Sequence, residues 1–367
     1  MSSGIAPLFK PFRVHNLNLP NRIVMAPMTR SHSPDGVPGE NVAAYYRRRA
    51  EGGVGLIMTE GTAINHPSAV NDPKVPNFHG EAALAGWAKV AAEVHAVGGH
   101  IMPQLWHVGM MRKPGELPNV EVMPFGPSGI TTTGKKVAEP PSEKEIEGVI
   151  AAYGEAAGNA KRLCFDGIEL HGAHGYLIDQ FFWELTNTRT DRFGGDLVGR
   201  TRFGVEVVQA CRRATGPDFP IVLRYSQWKS SDYAAKLAKT PQELEKFLAP
   251  LVSAGVDIFH CSQRRFWESE FEGSAMNLAG WTKKLSGKPT ITVGSVGLDG
   301  DITNSFEGKT IRHMDIAKVV KMVEDGEVDL VAVGRALLAD PAWPTKIREG
   351  RAKDLAALTM DAFQQLT

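Results

Sequence analysis

The sequence predicts a (β/α)8 barrel on three observations. Eight short apolar runs recur along the chain, helical patterns separate them, and no G-x-G-x-x-G follows the first run, which argues against an open doubly wound sheet. In order, the runs are Arg22–Ala26, Val54–Met58, His100–Leu105, Gly167–Leu170, Ile221–Arg224, Asp257–Phe259, Thr290–Val293 and Asp329–Val333. Ile221-Val222-Leu223 and Leu330-Val331-Ala332-Val333 are apolar without alternation, as in parallel strands covered on both faces. Parallel neighbours need right-handed helical crossovers, and eight such units close more naturally into a barrel than into a sheet with two open edges.

The helical segments carry start signals. Ser142 follows Pro140-Pro141 and precedes Glu145 by three, the spacing of a capping box. Thr240-Pro241-Gln242-Glu243 repeats the device with Pro241 in the first turn, where a missing N–H costs nothing. Asp340-Pro341 is expected to do the same before the last barrel helix. Two connections exceed ordinary loops: His107 to Pro141 after the third strand, and Cys261 to Gly280 after the sixth. No repeat or linker divides the chain, so residues 1–367 are read as one barrel domain.

Composition narrows the function classes. The chain has 41 Lys+Arg against 41 Asp+Glu, a formal net charge of zero, which does not suit a nucleic-acid or anionic-membrane binder. Cys164, Cys211 and Cys261 are odd in number and include no C-x-x-C pair, which points to a reducing compartment. Neither a signal segment nor a membrane-length apolar run is evident, so a cytoplasmic protein acting on small molecules is expected. A homo-oligomer is compatible with this reading.

In such a barrel the informative residues follow the strands. Gly294-Ser295 and Gly334-Arg335, after strands seven and eight, are placed to hold a phosphate through backbone N–H groups and a guanidinium; the plainer reading is that the glycines only turn the chain. Arg224 ends an apolar strand, so its charge must emerge in a site or be paired. Gln104 offers both donor and acceptor to a heterocycle, with Trp106 beside it. The sharpest signal is His171-Gly172-Ala173-His174-Gly175-Tyr176: two imidazoles able to donate to one oxygen, with a phenol nearby as a proton source. Two alternatives stay open at this point. The histidines could instead ligate a metal, with His107 or Glu169 completing the set of a barrel hydrolase, or could be structural.

The ordered blocks of the chain resemble the old yellow enzyme family of FMN-dependent ene-reductases from Leu8 to about Gly350. They are Asn21-Arg22-Ile23-Val24-Met25-Ala26-Pro27-Met28-Thr29-Arg30, Gln104-Leu105-Trp106, His171 to Leu177, Asn187 to Gly195, Arg224, Gly294-Ser295 and Val333-Gly334-Arg335. The resemblance implies bound FMN, with Pro27, Met28, Thr29 and Gly61 against the flavin, Gln104 at its pyrimidine edge, Arg224 beside N1 and O2, and Gly294, Ser295, Gly334 and Arg335 at the phosphate. It implies reduction by NADH or NADPH, then hydride transfer from N5 to the β-carbon of an activated alkene. His171 and His174 would hold the substrate carbonyl, Trp106 would line the pocket, and Tyr176 would protonate the α-carbon. The sequence has His174 where many relatives have Asn, and Thr29 where others have a thiol; no metal is implied. A flavin carrier without catalysis would leave Tyr176 without a purpose. The resemblance implies no role for the loop Gln263-Arg264-Arg265-Phe266-Trp267.

Overall fold

The structure is a computed structural model, and residues 4–300, 311 and 313–367 are described. The chain opens with a hairpin, β1 (Phe12–Val14) and β2 (Leu17–Leu19), paired antiparallel with Phe12 opposite Leu19. Eight parallel strands follow: β3 (Ile23–Met25), β4 (Leu56–Ala63), β5 (Ile101–Trp106), β6 (Ile168–His174), β7 (Ile221–Lys229), β8 (Ile258–Ser262), β9 (Thr290–Val293) and β10 (Leu330–Val333). They close into a barrel in which β10 pairs with both β9 and β3. The expected (β/α)8 fold is therefore present, and each expected strand has its counterpart.

The hairpin was not expected, although Phe12-Arg13-Val14 and Leu17-Asn18-Leu19 alternate with period two. Its Phe12, Leu17 and Leu19 pack against Val24, Leu56, Met102, Val222, Ile258, Ile291 and Leu330 inside the barrel, closing the end opposite the site. His15, at φ 49°, turns the hairpin and ties it to Asp257 at 2.8 Å, just before β8.

Helices α1 (Glu40–Glu51), α2 (Glu81–His95), α3 (Glu143–Arg162), α4 (Leu177–Phe182), α5 (Arg202–Thr215), α6 (Pro241–Ala254) and α7 (Leu278–Ser286) follow in chain order. α3 begins with the expected capping box: Ser142 Oγ accepts from Glu145 N, and the Glu145 carboxylate accepts from Ser142 N at 2.7 Å. The device at α6 is only half realised. Thr240 caps Glu243 N, but the Glu243 carboxylate turns to Lys239 N instead. The expectation at Asp340-Pro341 is corrected as well: the helix Trp343–Arg348 starts two residues later, and Asp340 accepts from Ala342 N and pairs with Lys346. Residues 107–142 and 263–277 form long connections after β5 and β8, near the expected bounds.

Along the strands the barrel interior changes character. Met102, Val222 and Ile258 face inward, and two residues further along the same faces stand Gln104, Arg224 and His260. The carboxyl end of the barrel is thus floored with polar groups.

Candidate active site

The floor is a chain of three buried side chains. Gln104 Nε2 donates to Glu169 Oε1 at 2.7 Å, and Glu169 Oε2 meets His260 Nδ1 at 2.5 Å. Glu169 and His260 have no exposure. Burial, assisted by the Arg224 charge, lowers the His260 pKa against the opposing pull of Glu169. The Gln104 amide is thereby held in one orientation. Sequence reasoning considered Glu169 only as a metal ligand and missed His260; the continued alternation Ile258, His260, Ser262 would have revealed it.

His171 and His174 stand at the end of β6. Residues three apart on a regular strand face opposite sides, yet these two rings lie 5.2 Å apart in an edge-to-face arrangement. A register shift between Gly172 and His174 reconciles the two facts, with His174 at φ 66° in the left-handed region. Tyr176 meets His171 edge-on at 4.8 Å and Trp106 at 4.9 Å, while Trp106 stacks on His171 at 6.1 Å. Burial first, and the Arg224 charge second, hold both imidazoles well below the usual histidine range, so they are neutral at pH 7. Burial raises the Tyr176 phenol, with Arg224 opposing, so it keeps its proton.

A buried ion pair supports this turn from behind. Lys229 Nζ lies 2.6 Å from Asp179 Oδ1, both side chains fully enclosed, and Asp179 Oδ2 accepts from Gly175 N at 2.7 Å. Gly175 itself sits at φ 85°. The loop that carries Tyr176 is thus anchored to α4 and, through Lys229, to the end of β7.

An open cleft of about 830 Å3, its mouth included, occupies the carboxyl end of the barrel. Of the residues singled out in the sequence, Pro27, Met28, His174, Arg224, Gly294, Ser295, Gly334 and Arg335 line it. Arg335 donates to Gly300 O at 2.6 Å and to Ser295 Oγ at 3.3 Å. Gly294 is required where it is, because a Cβ there would lie 2.6 Å from Gln263 O. Among the described residues, the lining includes Arg224, Arg264 and Arg335 and no carboxylate. Arg224 donates to Ser262 Oγ at 3.4 Å, and its buried Nε has no partner among the described residues. An anionic, heteroatom-rich ligand such as FMN fits this donor set.

The other singled-out residues stand outside that lining. Gln104 lies in the floor, and Gly61 is overlain by Trp106, whose ring would be 2.5 Å from a Cβ at Gly61. Thr29 is exposed beside the half-buried Met28. Trp228, Tyr233 and Ser262 line the cleft and were not singled out. The unassigned loop contributes Gln263 and Arg264 to the wall, with Arg264 stacked over Tyr233 at 3.6 Å, while Phe266 is buried as its anchor.

Glu60 braces the segment that carries Thr29. Its carboxyl accepts from Arg30 N at 2.8 Å and Ser31 N at 3.1 Å, and burial pushes it from 4.5 up to about 7. The raised value means that the folded state prefers the protonated form. This contribution to stability is complete below 4.5 and is lost as pH rises through 7, by about 3 kcal/mol. Urea unfolding from pH 4.5 to 7.5 should therefore weaken the native protein more than Glu60→Gln. Equal slopes would contradict this account.

Neither residue that would complete a metal set is placed to do so. Glu169 is engaged with Gln104 and His260; His107 Nδ1 accepts from Gly109 N, and its Nε2 meets His66 Nδ1, both at 2.9 Å. Among the described residues, no group of three or more His, Cys, Asp or Glu converges as a metal site.

A barrel with an arginine-lined cleft at its carboxyl end, flanked by two neutral histidines and a protonated tyrosine, is what the resemblance to barrel oxidoreductases with a phosphorylated flavin implies. Residues 7–354 match the model of the NADH:flavin oxidoreductase / NADH oxidase family. An NADH oxidase from Thermoanaerobacter brockii is 36% identical over 95% of this chain, which spans 52% of that protein's length. A 12-oxophytodienoate reductase 7 from Oryza sativa subsp. japonica is 33% identical, covering 94% of this chain and 88% of its own. Morphinone reductase in complex with tetrahydroNAD superimposes with a TM-score of 0.81 at 29% identity, covering 97% of this chain and 93% of its own. The chain belongs to the old yellow enzyme family, whose members take FMN as cofactor and NAD(P)H as reductant and act on C=C bonds. Among the described residues, no helix is long and apolar enough to cross a membrane.

Proposed function

We propose that the chain forms one barrel domain that reduces activated alkenes, α,β-unsaturated carbonyl compounds above all, in the cytoplasm. The observation that carries this reading is the juxtaposition of an arginine-lined cleft, without a carboxylate among its described residues, with the neutral His171 and His174 and the protonated Tyr176. Bound FMN supplies the two-electron exchange between NAD(P)H and the alkene.

Pro27, Met28, Thr29, Gly61 and Gln104 would hold the flavin ring, and Gly294, Ser295, Gly334 and Arg335 its phosphate. Arg224 places a fixed positive charge at the cleft floor, favouring a ligand that gains negative charge there. His171 and His174, being neutral, donate N–H groups to the substrate carbonyl oxygen, drawing electron density from the β-carbon. The Tyr176 phenol releases its proton to the α-carbon. Trp106 packs against both His171 and Tyr176 and limits their ring orientations. The relatives named for 12-oxophytodienoate and morphinone reduction support a conjugated carbonyl as the substrate class.

The purified protein should be yellow, bleach with NADPH under anaerobic conditions, and regain colour on addition of cyclohexenone. The double variant His171→Ala and His174→Ala should lose binding of 4-hydroxybenzaldehyde while keeping the flavin. A colourless protein that takes up no FMN would overturn the proposal, and unchanged aldehyde titration would remove the two histidines from it.

A further inference from the structure

His174 is held on its edge by Ser262 and on its face by Trp228. Its Nε2 lies 2.8 Å from Ser262 Oγ. Its ring stacks on Trp228 with 4.4 Å between centroids and 26° between planes. The Trp228 indole N–H in turn donates to the Ser262 carbonyl at 3.1 Å. Backbone contacts continue the arrangement: His174 N donates to Ser226 Oγ at 2.9 Å, and that hydroxyl donates to Trp228 O at 2.7 Å. Ser262, at the end of β8, is 2% exposed.

Counting donors sets the direction of the protons. A guanidinium only donates, so Arg224 Nη2 gives its hydrogen to Ser262 Oγ. The Ser262 hydroxyl hydrogen then needs an acceptor, and His174 Nε2 is the partner in place. Were His174 to donate instead, the buried hydroxyl hydrogen would have no acceptor among the described residues, which is costly. Donation from Arg224 also polarises the hydroxyl and makes it the better donor.

We propose that Ser262 is a positioning residue that sets the tautomer of His174: by donating to Nε2 it keeps the imidazole proton on Nδ1, so that Nδ1–H is the group offered to a ligand oxygen. His171 takes the opposite tautomer, because its Nδ1 faces Ala173 N at 3.4 Å and its proton stays on Nε2. The two histidines therefore offer different ring nitrogens, and Ser262 joins Arg224 to one of them. The inference rests on the reading of His171 and His174 as the clamp for a ligand oxygen.

The test uses FMN-loaded protein with 15N-labelled histidine, in which the His174 signals are assigned by their loss in His174→Ala. Imidazole nitrogen spectra should show the His174 proton on Nδ1 in the native protein and displaced toward Nε2 in Ser262→Ala. Titration with 4-hydroxybenzaldehyde should be about tenfold weaker in Ser262→Ala and restored in Ser262→Thr, which keeps the hydroxyl. A proton on Nε2 in the native protein overturns the proposal, as does unchanged affinity in Ser262→Ala when His174→Ala binds weakly. If His174→Ala itself binds normally, the clamp reading fails, while the nitrogen spectra still decide the role of Ser262.

Discussion

Tyr176→Phe is expected to leave reduction by NADPH intact and to slow reoxidation by an enone by about 10²–10⁴-fold, the usual contribution of a positioned proton donor. The phenol is suited to this one task. Burial raises its pKa, so it is protonated at neutral pH and cannot act as a base. The Trp106 and His171 rings fix its orientation, and Phe preserves those edge-to-face contacts while removing only the acidic hydrogen. Delivery of electrons from a nicotinamide needs no such proton, whereas saturation of a C=C bond does. Stopped-flow traces of the two halves separate these cases, and a slowed first half with a normal second would remove Tyr176 from the donor role.

Lys229→Met is expected to lower unfolding stability by about 3–5 kcal/mol, the usual consequence of leaving one member of a buried ion pair alone. Both side chains are fully enclosed, and burial pushes Asp179 up and Lys229 down, each toward neutrality. With Lys229 gone, Asp179 keeps, among the described residues, just the Gly175 N–H, and the turn that presents Tyr176 loses its side-chain anchor to β7. Adding Asp179→Asn should recover more than half of the loss, since the amide oxygen still accepts from Gly175. Urea unfolding at pH 7 measures both variants. A loss below about 1 kcal/mol for Lys229→Met would show that the pair does not brace this turn.

The barrel was legible in the sequence because each strand is buried on both faces and starts with a mostly apolar run, a local pattern that needs no partner to be visible. The boundaries were less so. β4, β6 and β7 run well past their apolar runs, into Glu60-Gly61-Thr62-Ala63, His171-Gly172-Ala173-His174 and Tyr225 to Lys229. There the barrel satisfies polar residues with neighbours distant in sequence, which composition does not register. The hairpin at residues 12–19 was overlooked because three-residue strands say little until the open end of a barrel gives them something to cover.

Within the site, Arg224, Gly294, Ser295, Gly334 and Arg335 reach the cleft as their positions after strands suggest. Glu169, His260, Trp228 and Ser262 became visible as a group only through the register that sets His171 beside Arg224 and Arg224 beside His260.

By itself the sequence determined the order of strands and helices, the end of the barrel that carries polar groups, and which residue types stand there, since these follow from local periodicity. Tertiary structure alone decided how they act together. The bulge at Gly172–His174 turns two imidazoles to one side, burial keeps them neutral, and Ser262 bonds to one of them from a strand 88 residues away. Such relations depend on closure of the barrel, because hydrogen-bond direction and desolvation are set by what comes close in space.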